Sequence, residues 1–380
     1  MFTNKLKKLR KQYKKLILKK NRPVADYNGI FRRYQNPVLT ARHIPVEWRY
    51  DINPATNPYL IERLGINSVF NAGAIFFDNK FVLIARAEGT DRKSFFAKAV
   101  SKNGIDNFEF VEPILFDKLG DETNLYDMRL TLHQDGYIYG VFCSESLDKS
   151  ANQPIAQAGI VRTRDLKNWE RLPDLKTKSP QQRNCVLHPE FVNGQYMFYT
   201  RPQDGFIEVG NSGGICGGLC QDITNAFIEK EILIAPRRYH TVYETKNGAG
   251  IVPIKTDRGW IHIAHGVRNT ACGLRYVLYA FATDLIDPFK IIAMPSGYLM
   301  APQNDERIGD VSNVLFCNGA IEHNGIIYLY YASSDTQVHV ASLEKDVLID
   351  YIFNTPKEEF NTYDCTAQRI KLINQNKLFL

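Results

Sequence analysis

The stretch AIFFDNKFVLIAR, residues 74–86, decides how the rest of the chain is read. A short apolar run meets Asp78-Asn79 and gives way to a strand dense in aromatic and β-branched residues. Asp and Asn tolerate the positive φ that both central residues of a type I′ hairpin require. The pattern returns four times, as LTLHQDGYIYGVFC (130–143), PEFVNGQYMFYTR (189–201), PIKTDRGWIHIAH (253–265) and AIEHNGIIYLYYASSD (320–335). The later turns fall at Asp135-Gly136, Asn193-Gly194, Arg258-Gly259 and Asn324-Gly325. From Asn79 through the four glycines the spacings are 57, 58, 65 and 66 residues. A further strand follows most hairpins, as in AGIVRTRDLKNW (158–169) or YVLYAFATDLIDPF (276–289). Roughly four strands repeated about five times is how propeller blades read, with a pair of β-sandwiches as the competing arrangement. The expected fold is all-β, a five-bladed β-propeller with an added N-terminal α-helix. Residues 1–25 form the helix and residues 26–380 the propeller; helical periodicity is weak outside residues 5–20.

That helix carries the chain's charge anomaly. The net charge is +6, yet residues 5–22 hold ten of the 47 Lys and Arg and no acid, leaving 37 basic against 41 acidic residues elsewhere. Leu6, Leu9, Tyr13, Leu16 and Ile17 recur at helical spacing and form one apolar stripe on a cationic helix. A membrane-surface or RNA-binding helix reads this way, and so does a helix that docks its stripe on the body or on a partner subunit; docking is the favoured reading. No membrane and no nucleic acid is expected as a partner, and a homo-oligomer through the N-terminal helix is. No apolar run approaches the ~18–20 residues of a membrane span, and no signal peptide is recognisable. Seven scattered cysteines suit reduced thiols and a cytoplasmic location better than a disulfide framework. Cys216 and Cys220 lack a matching pair at zinc-site spacing, so no metal is expected.

The repeat also marks a site. The second hairpin strand of four repeats ends on Arg86, Arg201, His265 and Asp335. Any one alone is a solvated strand end; four at one register point to a shared polar pocket at one face of the channel. Asp127, in LYDMRLT before the second repeat, reads as a general acid or as a salt-bridged turn residue. Arg183 precedes the third repeat and Lys246, in KNGAG, the fourth. Each alone is an ordinary surface charge, but with Arg201 and His265 they make a cationic set suited to a phosphate dianion. The Lys246 segment lacks the spacing of a nucleotide P-loop.

FNAGAI (70–75), YDMRLT (126–131), QQRNCVLHPEFV (181–192), YTRPQDGF (199–206), KNGAG (246–250), AHGVRN (264–269), GLRYVLY (273–279), GDVSNVLF (309–316) and YYASSDT (330–336) resemble glycoside hydrolase family 130, the β-mannoside phosphorylases. WRYDINPATNP (48–58), EGTDRKSFFAKA (88–99) and LKNWERLPDLKTKS (166–179) resemble the subgroup acting on 4-O-β-D-mannosyl-D-glucose. The resemblance implies a five-bladed propeller, Asp127 as the catalytic acid, Arg183, Arg201, Lys246, His265 and Tyr276 as phosphate ligands, and Asn71, Arg86 and Asp335 on the mannosyl unit. It implies inverting phosphorolysis to α-D-mannose 1-phosphate and glucose, with the proton relayed through the sugar 3-hydroxyl. Inorganic phosphate is then a co-substrate and no cofactor is needed. Inverting hydrolases need a second carboxylate to activate water; phosphate is already an anion. Sister phosphorylases acting on mannobiose, longer mannosides or mannosyl-N-acetylglucosamine, a carboxylate-based hydrolase and a non-catalytic sugar-binding propeller are the alternatives.

Overall fold

A computed structural model describes residues 1–117, 119–207, 209 and 213–380. Five blades, each built on four antiparallel layers of strand, follow one another along the chain, and Phe227–Ile228 adds a short parallel strand to the outer edge of the second. Blade I is Ile66–Phe77, Lys80–Gly89, Ser94–Ser101 and Glu109–Ile114; blade II is Glu122–Leu132, Ile138–Asp148, Gln153–Thr163 and Glu170–Thr177. Blade III runs through Val186–Leu187, Tyr196–Thr200, Ile215–Cys220 and Ile232–Ala235. In blade IV the inner strand is broken into Lys246–Ala249 and Ile254–Lys255, followed by Trp260–Thr270, Gly273–Thr283 and Ile291–Ala293. Blade V takes Leu315–His323, Ile326–Ser333 and Gln337–Glu344 from the end of the chain. Its outer strand, Phe31–Arg33, comes from before blade I and pairs Phe31 with Leu343 and Arg33 with Ala341. This exchange ties the two ends of the ring together.

Three of the five hairpins close as the local sequence predicts. Asp78-Asn79, Asn193-Gly194 and Asn324-Gly325 each have two positive φ values and span two-residue loops. The other two differ. Leu132 pairs with Ile138 and Lys255 with Trp260, so these loops are longer and only Gly136 and Gly259 carry positive φ. In the first, Asp135 spends its carboxylate on the Tyr137 amide and the Tyr139 and Tyr196 hydroxyls, holding a wider loop.

The core is a set of apolar layers between successive blades. Ile84, Phe96, Met128 and Phe142 fill the space between blades I and II, and Leu187 and Phe198 meet Val141 and Ile160 between II and III. Tyr199 meets Tyr279 and Phe281 between III and IV, Ile263 and Leu278 meet Leu329 between IV and V, and Val340 meets Leu83 between V and I. Near the axis the inner strands converge until only glycine fits. A Cβ on Gly73 would lie 2.6 Å from the Met128 carbonyl of blade II, and one on Gly319 2.6 Å from the Ala72 carbonyl of blade I.

An N-terminal helix forms, over Phe2–Ile17, and stops short of the expected residue 25, where Pro23 already bridges to Tyr34 in extended chain. Its stripe, Leu6, Leu9, Tyr13, Leu16 and Ile17, is half-buried against the turns Ala41–His43 and Val46–Arg49. Arg10 pairs with Glu47 at 2.8 Å and Lys5 donates to the Tyr59 carbonyl, so the stripe docks on the chain's own body. The weak helical periodicity read beyond residue 20 conceals two more helices, Lys345–Asn354 and Thr362–Asn376. The first buries Leu348 and Ile352 against blades IV and V; the second buries no residue. No helix among the described residues is long and apolar enough to cross a membrane.

Candidate active site

The inner strands of three blades carry β-bulges at matching heights, between Phe70 and Gly73, Tyr126 and Arg129, and Cys317 and Gly319. A bulge leaves a residue unpaired and re-aims its side chain. Asn71 and Asp127 are the re-aimed residues of blades I and II, at φ of 46° and 64°. Asp335 (51°) and Asn184 (56°) also lie in the left-handed region. Asn and Asp enter it more readily than other non-glycine residues, and such conformations cluster at functional sites. Asp127 therefore lies within the strand Glu122–Leu132 rather than before it. Arg86 and His265 likewise lie inside their strands, which run on past them because their partner strands extend as well. Lys246 opens a paired strand rather than a loop.

One half of the channel is built around Asp127, which is 8% exposed. Its Oδ1 accepts from Asn71 Nδ2 at 2.9 Å and from Arg86 Nη1 at 3.3 Å. Arg86 lies between the rings of Phe70 and Tyr126, 4.5 and 4.4 Å from their centroids, and is held by Ser94 and Glu88. Asp335 joins this half: burial and then the neighbouring Asp127 push its carboxyl up to about 7, against the opposing pull of Arg86. Asn71, Arg86 and Asp335, the three residues expected on the mannosyl unit, thus gather around Asp127, expected as the acid.

The other half is cationic. Arg183 donates to the Tyr126 hydroxyl (3.1 Å) and the Phe206 carbonyl (3.2 Å), with its guanidinium over the Phe206 ring. Arg201, 4% exposed, donates to Gln203 at 2.9 Å and stands 3.5 Å from His265 Nε2; its Nε has no partner. Lys246 lies 5.8 Å from the centre of the Tyr276 ring, which in turn stacks on His265. Burial, then Arg201 and Arg183, push the Lys246 ammonium down to about 8. Burial followed by Arg201, Arg129, Lys246 and Arg183 holds His265 well below the ordinary imidazole range, so its ring is neutral. Burial raises the Tyr276 phenol, opposed by Arg201 and Arg183. Among the described residues, no carboxylate is ion-paired with Arg183, Arg201 or Lys246. Buried charges need partners, and a cationic set of this kind can accept a small anion.

All the residues singled out by sequence therefore meet in one channel. Reading by register missed several others. Tyr126 links the two halves through Arg86 and Arg183, Gln203 braces Arg201, and Arg129 and Asn184 lie beneath both halves. Arg129 and Gln203 sit within motifs quoted above, but only the bulge and the blade-to-blade contacts expose their roles. No group of three or more His, Cys, Asp or Glu among the described residues could hold a metal ion.

The five-bladed propeller thus sets two carboxyl groups, Asp127 and Asp335, near a cationic set in one channel, an arrangement able to combine acid catalysis with an anionic nucleophile. The chain belongs to glycoside hydrolase family 130: the family profile, described as beta-1,4-mannooligosaccharide phosphorylase, matches residues 32–353. The 4-O-beta-D-mannosyl-D-glucose phosphorylase of Bacteroides fragilis is 55% identical over 99% of this chain and 98% of its own length. The Beta-1,4-mannooligosaccharide phosphorylase of Ruminococcus albus is 29% identical over 81% of this chain and 91% of its own. The fold matches that of Beta-1,2-mannobiose phosphorylase from Listeria innocua, with a TM-score of 0.69 at 20% identity over 84% of this chain and 99% of that one.

Proposed function

We propose that this protein catalyses inverting phosphorolysis of 4-O-β-D-mannosyl-D-glucose, giving α-D-mannose 1-phosphate and D-glucose. The observation that carries the reading is the cluster of the half-buried Arg183 with the buried Arg201 and Lys246, none of them ion-paired with a carboxylate among the described residues, in the same channel as Asp127. Asp127 supplies the proton to the leaving glycosidic oxygen, while Asn71 and Arg86 fix its carboxylate. Arg86, Asn71 and Asp335 hold the mannosyl unit. Arg183, Arg201, Lys246, His265 and Tyr276 hold phosphate on the opposite face, aligned with the anomeric carbon and offset in charge at the transition state. The 55% identity to the B. fragilis enzyme across nearly the whole of both chains supports the choice of glucose as the leaving sugar.

The test is to incubate the protein with mannosyl-β-1,4-glucose, with and without phosphate, and to assay glucose and mannose 1-phosphate. Phosphate-dependent release of both is expected. Free mannose produced without phosphate would replace the reading with hydrolysis.

We place the enzyme in the cytoplasm, since all seven cysteines are free thiols. We also take it to assemble with copies of itself through the N-terminal helix, whose stripe stays half-exposed on the propeller. Light scattering on protein lacking residues 1–22 checks this; an unchanged assembly mass removes the helix from the interface.

A further inference from the structure

Arg129 is 1% exposed and touches neither the surface nor, directly, the space where the substrates meet. A guanidinium this deeply buried ordinarily faces a carboxylate, but this one is held by carbonyl and amide oxygens from three blades. Nη1 donates to the backbone carbonyl of Asp127 at 2.8 Å. Nη2 donates to Asn184 Oδ1 at 3.1 Å and to the Ala249 carbonyl at 3.4 Å, and Nε to the Gly250 carbonyl at 3.3 Å. Each acceptor adjoins the chemistry. Asp127 is the acid, held at φ 64° by the bulge that ends at Arg129 itself. Asn184 follows Arg183, and its side-chain amide lies 3.5 Å from His265 Nε2. Ala249 ends the short strand that Lys246 begins, and Gly250 follows it directly. Gly248, in that strand, leaves no room for a Cβ against the His265 ring, so a shift there presses on the pocket directly.

We propose that Arg129 is a positioning residue that couples the acid to the phosphate pocket: one rigid fork fixes the backbone of Asp127 and the segments carrying Arg183 and Lys246, and so sets the span across which acid and nucleophile act in line. The proposal rests on the phosphorolysis reading above. Its physical basis is the planar guanidinium, which fills several acceptors at fixed angles where an ammonium cannot. Misplacement of reacting groups by about 1 Å can lower turnover about a hundredfold.

The experiment is initial-rate kinetics on Arg129→Lys, alone and combined with Asp127→Asn, with thermal unfolding to confirm the fold. The single variant loses about a hundredfold in kcat and shows a higher KM for phosphate. In the Asp127→Asn background the same change costs no further kcat, because the acid it positions is already gone, while the phosphate KM still rises. A variant that is merely less heat-stable, with wild-type kcat and phosphate KM, overturns the proposal, and so do kcat losses that multiply in the double variant. If Arg129→Lys does not fold, Asn184→Gly decides. It keeps the positive φ and removes the Arg129 acceptor next to Arg183; a raised phosphate KM is expected and an unaltered one overturns the coupling. Wild-type protein in the same assay separates the two readings. Absence of phosphate-dependent turnover there sinks both, whereas normal wild-type turnover beside an unaffected variant sinks only the role of Arg129.

Discussion

Replacing Arg201 by Met removes one cation from the phosphate pocket while keeping much of the side chain's bulk, and the structure sets two linked consequences. The first is direct. A hydrogen bond to a charged group contributes about 1.5–3 kcal/mol, and each ~1.4 kcal/mol is tenfold, so KM for phosphate should rise about 10- to 150-fold. The second runs through Lys246, whose ammonium is pushed down to about 8 by burial and then by Arg201 and Arg183. In the free wild-type enzyme Lys246 is charged below that value, about half charged at pH 8 and about a tenth charged at pH 9. Phosphate capture in the wild type therefore falls above pH 8. Without Arg201 the Lys246 proton is held to higher pH, and the alkaline fall of kcat/KM for phosphate moves upward. The wild-type advantage is thus largest near pH 7 and shrinks towards pH 9. Initial rates of glucose release over a phosphate series, repeated from pH 6 to 10, measure both effects. An unchanged phosphate KM would remove Arg201 from the pocket. A raised KM with the alkaline limb unmoved would refute the electrostatic link to Lys246.

Asp127→Asn should cut turnover by about 10²–10⁴-fold, the usual contribution of a general acid, with phosphate still stabilising the protein in a thermal shift assay; near-normal phosphorolysis by the variant would sink the assignment. Phosphate at about 100 times its dissociation constant should add about 2.7 kcal/mol of stability by mass action, and Arg201→Met should reduce that gain at equal phosphate, as read by denaturant unfolding. Asp335→Asn should raise stability above pH 7. The folded protein holds the Asp335 proton to about pH 7 and the unfolded chain only to 3.8, so the folded state binds more protons between those values and wild-type stability falls as pH rises through them. The gain in the variant is on the order of 2–4 kcal/mol at pH 8, fades towards pH 4, and comes with weakened mannoside turnover; a pH-independent difference in unfolding free energy would refute it.

The repeat was legible in sequence because hairpin chemistry is local. Asp78-Asn79, Asn193-Gly194 and Asn324-Gly325 specify their own turns. At Asp135 and Arg258 the same dipeptide logic gave the hairpin but not its loop length, which depends on Asp135 reaching Tyr139 and Tyr196. The strand Phe31–Arg33 could not be read at all, since three residues carry no period and their partner lies more than 300 residues away. The helix Thr362–Asn376 buries none of its residues, so no periodic buried face marks it in the sequence. In the site, Arg86, Arg201, His265 and Asp335 were legible because equivalent positions in a repeat converge in space. Arg129 was not, because its partners are backbone carbonyls made available by a bulge and by two neighbouring blades.

If the proposed site is right, its charge distribution suits a propeller with two acids in its channel to phosphate rather than water. An inverting attack by water needs a base on the face opposite the acid. Asp335 stands with Asp127 and Arg86 on the sugar side. In the cationic set His265 is held neutral, and accepting a proton there would place a further positive charge among Arg129, Arg183, Arg201 and Lys246. Those same cations that bar His265 from activating water stabilise a nucleophile that arrives already negative. On the proposed assignment the pocket selects its co-substrate by electrostatics: a neutral nucleophile would meet a base that its neighbours keep from taking a proton, and a phosphate dianion would supply counter-charge to the buried Arg201 and Lys246.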